Sequence, residues 1–187
     1  GKKYFFFSHT IKKQPYNRDL LRAILSKNIE LYDHEVLTSP NGRRVVAFGR
    51  YAGIVGAYNG IRAYGLKTES FRLPHAESLP DQKALIEAMR QLELPTMKIL
   101  LTGRGRVGSG AREILDGMGI KKVAVSDYLS QEFDEPVYCQ IDASFYNKRK
   151  DGVRGNKAEF MSRPDLYESN FFRFTRVTDL FIAGHFY

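Results

Sequence analysis

The chain has 187 residues, 43% of them hydrophobic, which is enough for one domain or two small ones with a real core. Its formal charge of +8 arises from 29 lysines and arginines spread among 21 acids, with short clusters at Lys12/Lys13, Arg43/Arg44 and Lys148 to Lys150; that distribution favours solvated surface and acidic or phosphorylated ligands over a nucleic-acid partner. Cys139 is the only cysteine, which excludes an intrachain disulfide and a cysteine-rich zinc site, leaves no metal expected, and fits a reducing, cytoplasmic setting.

Tyr4 to Phe7 predict a buried strand, four residues long and far too short for a signal sequence or a membrane span. Ser8, His9 and Thr10 follow at its C-terminal end, where α/β folds bind ligands. A helix beginning at Asn17 or Arg18 runs through Leu20, Leu21, Ile24 and Leu25, whose spacing marks one apolar face. Ile29 to Leu37 predict a second strand, and Asn41-Gly42 a turn into a third over Arg43 to Phe48. From residue 50 to 64 small residues recur at helical spacing (Ala52, Gly53, Gly56, Ala57, Gly60), predicting a buried helix that connects two domains and packs closely enough to offset the helix penalty of glycine. Residues 66 to 80 read as a loop, and Asp81 as the cap of a helix through Leu85, Ile86, Met89 and Leu92.

The stretch Met97 to Asp127 organises the second half of the chain. Ile99 to Leu101 form a strand that enters a turn at Gly103, Gly105 and Gly108, after which Ala111, Ile114, Leu115 and Met118 take up a helical register; Lys122 to Val125 return as a strand ending at Ser126 and Asp127. This β-α-β setting is the one in which G-x-G-x-x-G signals a dinucleotide. Gly103 permits the sharp turn, Gly105 lets a diphosphate approach the backbone, Gly108 lets the helix pack, and Arg106 and Val107 begin the helix whose free N–H groups face the phosphates. Asp127 is expected to hold the adenosine ribose and to favour NAD over NADP. Farther on, Pro136 to Ile141 predict a strand, residues 144 to 156 a polar loop, and Asn156 the cap of a short helix through Phe160. A turn follows at Pro164, a helical stretch over Asn170 to Val177 and a final strand over Leu180 to Ala183. Gly184, His185, Phe186 and Tyr187 close that strand, with His185 expected beside the nicotinamide.

Three blocks, FFFSHTIKKQ, IELYDHEVL and GRRVVAFGRYAGIVGAYNGIRAYG, together with GRVGSGA in the nucleotide unit, resemble the NAD-dependent, lysine-forming saccharopine dehydrogenases of the wider alanine dehydrogenase and transhydrogenase superfamily. The family pattern is close to F-x-H-x-Y-K-x-Q, L-Y-D-x-E and G-R-R-V-x-A-F-G-x-Y-A-G, with equal spacing between blocks, and Ile11 stands where the family has tyrosine. The resemblance covers most of residues 4 to 115 and implies two Rossmann-like α/β domains, both incomplete here. Residues 1–49 would end a substrate domain, 50–65 connect, and 66–187 form a truncated NAD-binding domain.

The resemblance also implies an activity, the oxidative splitting of saccharopine into lysine and 2-oxoglutarate with hydride passing to NAD. His9 matches the family's acid–base histidine, Lys12 the lysine three positions later, Glu35 the acid that tunes the site, and Arg44 a substrate-carboxylate arginine. A second catalytic lysine of the family lies upstream of this histidine and has no match, so the chain by itself is expected to bind an amino-acid or 2-oxo-acid substrate and coenzyme without turnover. Histidine has the pKa range for the proton transfers of amine oxidation. The competing expectations are an alanine dehydrogenase-like or other amino- or imino-acid dehydrogenase, and a non-catalytic nucleotide-binding module. No membrane partner is expected, and the oligomeric state is not legible.

Overall fold

A computed structural model describes residues 1–185, so Phe186 and Tyr187 lie outside the described residues. The chain divides into two units, one ending at Phe48 and the other beginning at Gly49. No helix among the described residues is long and apolar enough to cross a membrane.

The first unit is a β-α-β element. Strand β1 (Lys3–Phe6) pairs in parallel with β2 (Glu30–Asp33), and helix α1 (Arg18–Ser26) connects them. Phe5 stacks on Tyr32 across the pair with ring centroids 4.5 Å apart, the cross-strand contact that the parallel register Phe5↔Tyr32 brings about. Of the expected apolar face of α1 only Ile24 is buried. The second strand is shorter than the predicted Ile29 to Leu37 because Asp33 turns the chain: its carboxylate accepts from the Glu35 amide at 2.9 Å, and its carbonyl from the Val36 amide at 3.1 Å. The strand expected over Arg43 to Phe48 does not form. Gly42, at φ +75°, makes the predicted turn, but the returning chain meets Thr38 in a single antiparallel bridge at Arg44, with Val45 and Phe48 exposed beyond it.

The second unit is an α/β layer around a four-stranded, wholly parallel sheet of Rossmann-like form. Its strands are β3 (Lys98–Thr102), β4 (Lys121–Lys122), β5 (Val137–Ile141) and β8 (Leu180–Ala183), in the spatial order β4-β5-β3-β8. Alternation along β3 sends Ile99 and Leu101 into a cluster with Ile54, Ile61, Ile114 and Leu115 on one face, and Leu100 into a cluster with Tyr128, Cys139 and Phe174 on the other. The first face is covered by α2 (Gly49–Thr68), α3 (Gln82–Arg90, capped by Asp81) and α4 (Arg106–Gly117). The second is covered by α5 (Val125–Ser130), α6 (Ala143–Tyr146) and α8 (Phe172–Thr175). Between α6 and α8 the chain forms an antiparallel pair, β6 (Asn147–Arg149) with β7 (Tyr167–Ser169), and α7 (Lys157–Ser162), capped by Asn156 as expected. The polar loop predicted over 144 to 156 therefore holds a strand, and the helix expected over Asn170 to Val177 is a single turn.

The helix expected over residues 50 to 64 extends to Thr68 and belongs to the second unit, where it lies against α4. A Cβ on Gly53 would stand 1.9 Å from the Val107 carbonyl oxygen, and one on Gly110 1.9 Å from that of Arg50. Backbones this near leave no room for a methyl group. Gly110→Ala is expected to lower the unfolding free energy by about 2 kcal/mol or more. Gly56→Ala, in α2 with nothing within 4 Å of the added carbon, is expected to raise it by about 0.5 kcal/mol. Denaturant unfolding of the two variants measures both, and equal effects would contradict close approach as the reason for the glycines.

Candidate functional site

In the first unit the four residues singled out by the sequence converge on one carboxylate. Glu35 is buried, at 8% exposure, and its two oxygens meet His9 Nδ1 at 3.0 Å, Lys12 Nζ at 3.3 Å and Arg44 Nη2 at 3.2 Å. Burial pushes the Glu35 carboxyl up, but the hydrogen bonds from His9 and Lys12 and the charge of Lys12 outweigh it, so its pKa lies below the ordinary glutamate range. The arrangement is built from the ends of two adjacent parallel strands. Ser8, after β1, donates its hydroxyl and, at 3.4 Å, its amide to the Asp33 carboxylate, which also takes the Glu35 amide. Asp33 thus ties the loop carrying His9 to the loop carrying Glu35. His9 itself holds a left-handed backbone, φ 56°, an uncommon state for a residue with a side chain. Sequence reasoning missed Asp33 and Ser8 as organisers; an aspartate two residues before the glutamate, in the Asx-turn position, was the available signal.

In the second unit the glycine turn has the geometry that the fingerprint promises. Gly103, at φ +89°, comes so near Gly184 that a Cβ would stand 2.4 Å from the Gly184 carbonyl oxygen, and a Cβ on Gly108 would stand 2.1 Å from the Gly103 carbonyl oxygen. A Cβ on Gly105 would have nothing within 4 Å, so the backbone there is open to a ligand. Gly105 is the N-cap of α4 and offers no side-chain cap, so the first amides of a twelve-residue helix face the opening. The buried amide of Gln140 donates to the Gly103 carbonyl at 2.8 Å and the Gly108 carbonyl at 3.4 Å, which draws the turn's negative oxygens away from that opening. Gln140 is a second residue that the sequence reading overlooked. The surrounding cavity, about 550 Å³, is lined by the turn with Arg106 and Val107, and by Asp142, Tyr146 and His185.

Asp127 is not at a strand tip. The strand expected over Lys122 to Val125 ends at Lys122, and Asp127 sits in the first turn of α5, where the Ser126 hydroxyl donates to it at 3.1 Å. The strand beside β3 is β5, paired so that Thr102 meets Ile141, and the acid that follows its last residue is Asp142. The Asp142 carboxylate accepts from the Ser144 amide and hydroxyl at 3.1 and 2.6 Å and meets Arg104 Nε at 3.4 Å. Burial pushes its pKa up, but these partners hold it below the ordinary aspartate range. His185 borders the cavity. Its Nδ1 pairs with the Thr102 hydroxyl, its ring lies near Tyr146 and Phe181, and burial lowers its pKa, favouring the neutral imidazole. An open glycine backbone, an uncapped helix start and a carboxylate at the adjoining strand tip fit the diphosphate and ribose of a dinucleotide.

No family model matches the chain. It is 36% identical over 137 residues to the NAD(+), L-lysine-forming saccharopine dehydrogenase of Candida glabrata, an alignment covering 67% of this chain and 37% of that protein. It is 30% identical over 193 residues to the mitochondrial alpha-aminoadipic semialdehyde synthase of Bos taurus, covering 91% of this chain and 21% of that protein. With the corresponding synthase of Arabidopsis thaliana the identity is 29% over 202 residues, 90% of this chain and 19% of that protein. The chain thus spans about a fifth of the length of the synthases and somewhat over a third of the fungal dehydrogenase. Matched over most of its own length to relatives of one kind, the chain belongs to the saccharopine dehydrogenase family.

Proposed function

We propose that the chain carries two parts of an NAD-dependent oxidoreductase acting on the CH–NH bond of an amino acid, with saccharopine, split to lysine and 2-oxoglutarate, as the substrate. The observation that carries the coenzyme half is the open backbone at Gly105 with Asp142 at the tip of the adjoining strand. NAD, when bound, supplies the hydride acceptor. The amides at the start of α4 hold its diphosphate, assisted by Arg106, and Val107 and His185 flank it. Asp142, in place of Asp127, accepts from the adenosine ribose hydroxyls, and its charge opposes a 2′-phosphate on the same ribose.

His9 moves the protons of amine oxidation and hydrolysis. Glu35 orients the His9 imidazole through Nδ1, and Lys12 shares that carboxylate, so the three form one hydrogen-bonded group. Arg44 binds a substrate carboxylate while its other contact keeps it on Glu35. Cys139 takes no part, since burial pushes its thiol up to about 11. The cytoplasmic setting that it suggests belongs to this proposal, although the synthases of Bos taurus and Mus musculus are named as mitochondrial.

Calorimetric titration of NAD and NADP tests the coenzyme half. Asp142→Asn keeps a cap for α6 while removing the charge, and is expected to weaken NAD by about 10-fold or more and to reduce the preference over NADP. Asp127→Arg is expected to leave both affinities unchanged, and a loss confined to that variant would return the ribose role to Asp127. The Glu35 cluster has its own signature. A carboxylate with a lowered folded pKa stabilises the protein above its unfolded value of 4.5, and that contribution disappears as pH falls through the folded value. Denaturant midpoints measured from about pH 6 down to about pH 3 should therefore fall less steeply in Glu35→Gln than in the parent. At neutral pH the same variant should be less stable, because Lys12 and Arg44 lose their shared counter-charge.

A further inference from the structure

Beside the glycine-turn cavity lies a larger one, about 630 Å³, built by the segment between β5 and β8. Five cations line it, Lys148, Arg149, Arg154, Lys157 and Arg173, and no carboxylate among the described residues does. Two of the five are neutralised locally. Lys148 meets Glu168 at 3.0 Å, and Arg149 is held by Asp151 and Glu159. The other three have no carboxylate at ion-pair distance among the described residues. Arg173 donates to the Phe145 carbonyl at 2.9 Å and lies over the Phe174 ring, Arg154 forms no ion pair, and Lys157 is balanced only at longer range by the charge of Asp142. Cations gathered round one hollow without an ion pair repel each other unless an anion lies among them. Ser144 and Asn147 add neutral hydrogen-bonding groups to the same wall.

The hollow adjoins the proposed coenzyme site. Helix α6 divides the two: Ala143 and Tyr146 line the glycine-turn side, Ser144 and Phe145 the basic side, and Lys157 lines both. Asp142 begins that helix. A ribose on Asp142 would thus lie at the edge of a pool of positive charge on the far side of α6.

We propose that this cavity is a binding site for a phosphate monoester, held by Arg154, Lys157 and Arg173. The phosphate belongs to a small molecule bound alongside the coenzyme, because the Asp142 carboxylate at the near edge opposes a phosphate on the coenzyme's own ribose. The site itself does not rest on the reading of the glycine turn as a coenzyme site.

Calorimetry on the protein tests this. 5′-AMP and 2′,5′-ADP are expected to bind alike, and inorganic phosphate is expected to bind at one site with NAD already saturating. Arg154 is exposed and has no ion-pair partner among the described residues, so Arg154→Glu keeps the fold; this variant should abolish the phosphate binding and leave 5′-AMP affinity unchanged. Absence of phosphate binding overturns the proposal, as does phosphate binding that persists in Arg154→Glu, and 2′,5′-ADP binding at least about 10-fold tighter than 5′-AMP would place the phosphate on the nucleotide instead. Phosphate binding that Arg154→Glu removes, in a protein that binds no NAD, would leave this site standing and sink the coenzyme reading instead.

Discussion

The second unit depends on backbone lying against backbone at the end of β3. Gly103, Gly108 and Gly184 meet there with no space for a side chain on any of them, and Gln140 draws the turn's carbonyls inward from β5. That contact locks the start of α4 to the ends of three strands. The same tight approach recurs one layer out, where Gly53 of α2 and Gly110 of α4 bring those helices together. The opening at Gly105 is therefore the outcome of packing everywhere around it: the neighbouring positions are filled by main chain, and the one position with free space faces outward.

The first unit is organised by charge. Asp33 and Glu35 lie two residues apart and are both buried, but they do different work. Asp33 accepts from Ser8 and from the Glu35 amide and so fixes where the two loops run; Glu35 meets His9 and two cations and so fixes which side chains meet. A buried carboxylate without such partners would be strongly destabilising. Here the desolvation is offset by His9, Lys12 and Arg44 together, which explains why these four residues, spread over 36 positions of sequence, form one group.

Much of this was legible from residue pattern. The glycine spacing located the turn, the apolar runs located β3, β5 and β8, and the small-residue stripe located α2, because each reports a local requirement of backbone or burial. The expectation that Asp127 stands at a strand tip failed because it took the next strand in the chain for the next strand in space. Lys121 and Lys122 are exposed and pair only with β5, whereas Val137 to Ile141 are buried throughout. A continuous buried run belongs at the centre of a parallel sheet and a lysine pair at its edge. That contrast was present in the sequence, and it would have pointed to Asp142. The missing strand over Arg43 to Phe48 has a similar cause: alternating apolar residues make a strand only where a neighbour can pair with them, and here the bridge at Thr38 is all that pairs.

Net charge was the least informative quantity, because what matters is how each cation is matched. The cations around Glu35 are held by a buried acid, and Arg50 is clasped by Glu113 across the α2–α4 contact. Arg149 is held by two carboxylates, Asp151 and Glu159. A surplus of +8 spread evenly would leave a weak general field, screened within about 10 Å at moderate salt. Concentrated instead where Arg154, Lys157 and Arg173 line one hollow without an acid, part of that surplus becomes a local potential with a direction. The hollow begins at Ser144, two residues from Asp142, which among the described residues is the only carboxylate lining the proposed coenzyme cavity. On the proposed reading, negative charge at the strand tip and positive charge beyond α6 divide this surface into a place that accepts hydroxyls and a place that accepts phosphate.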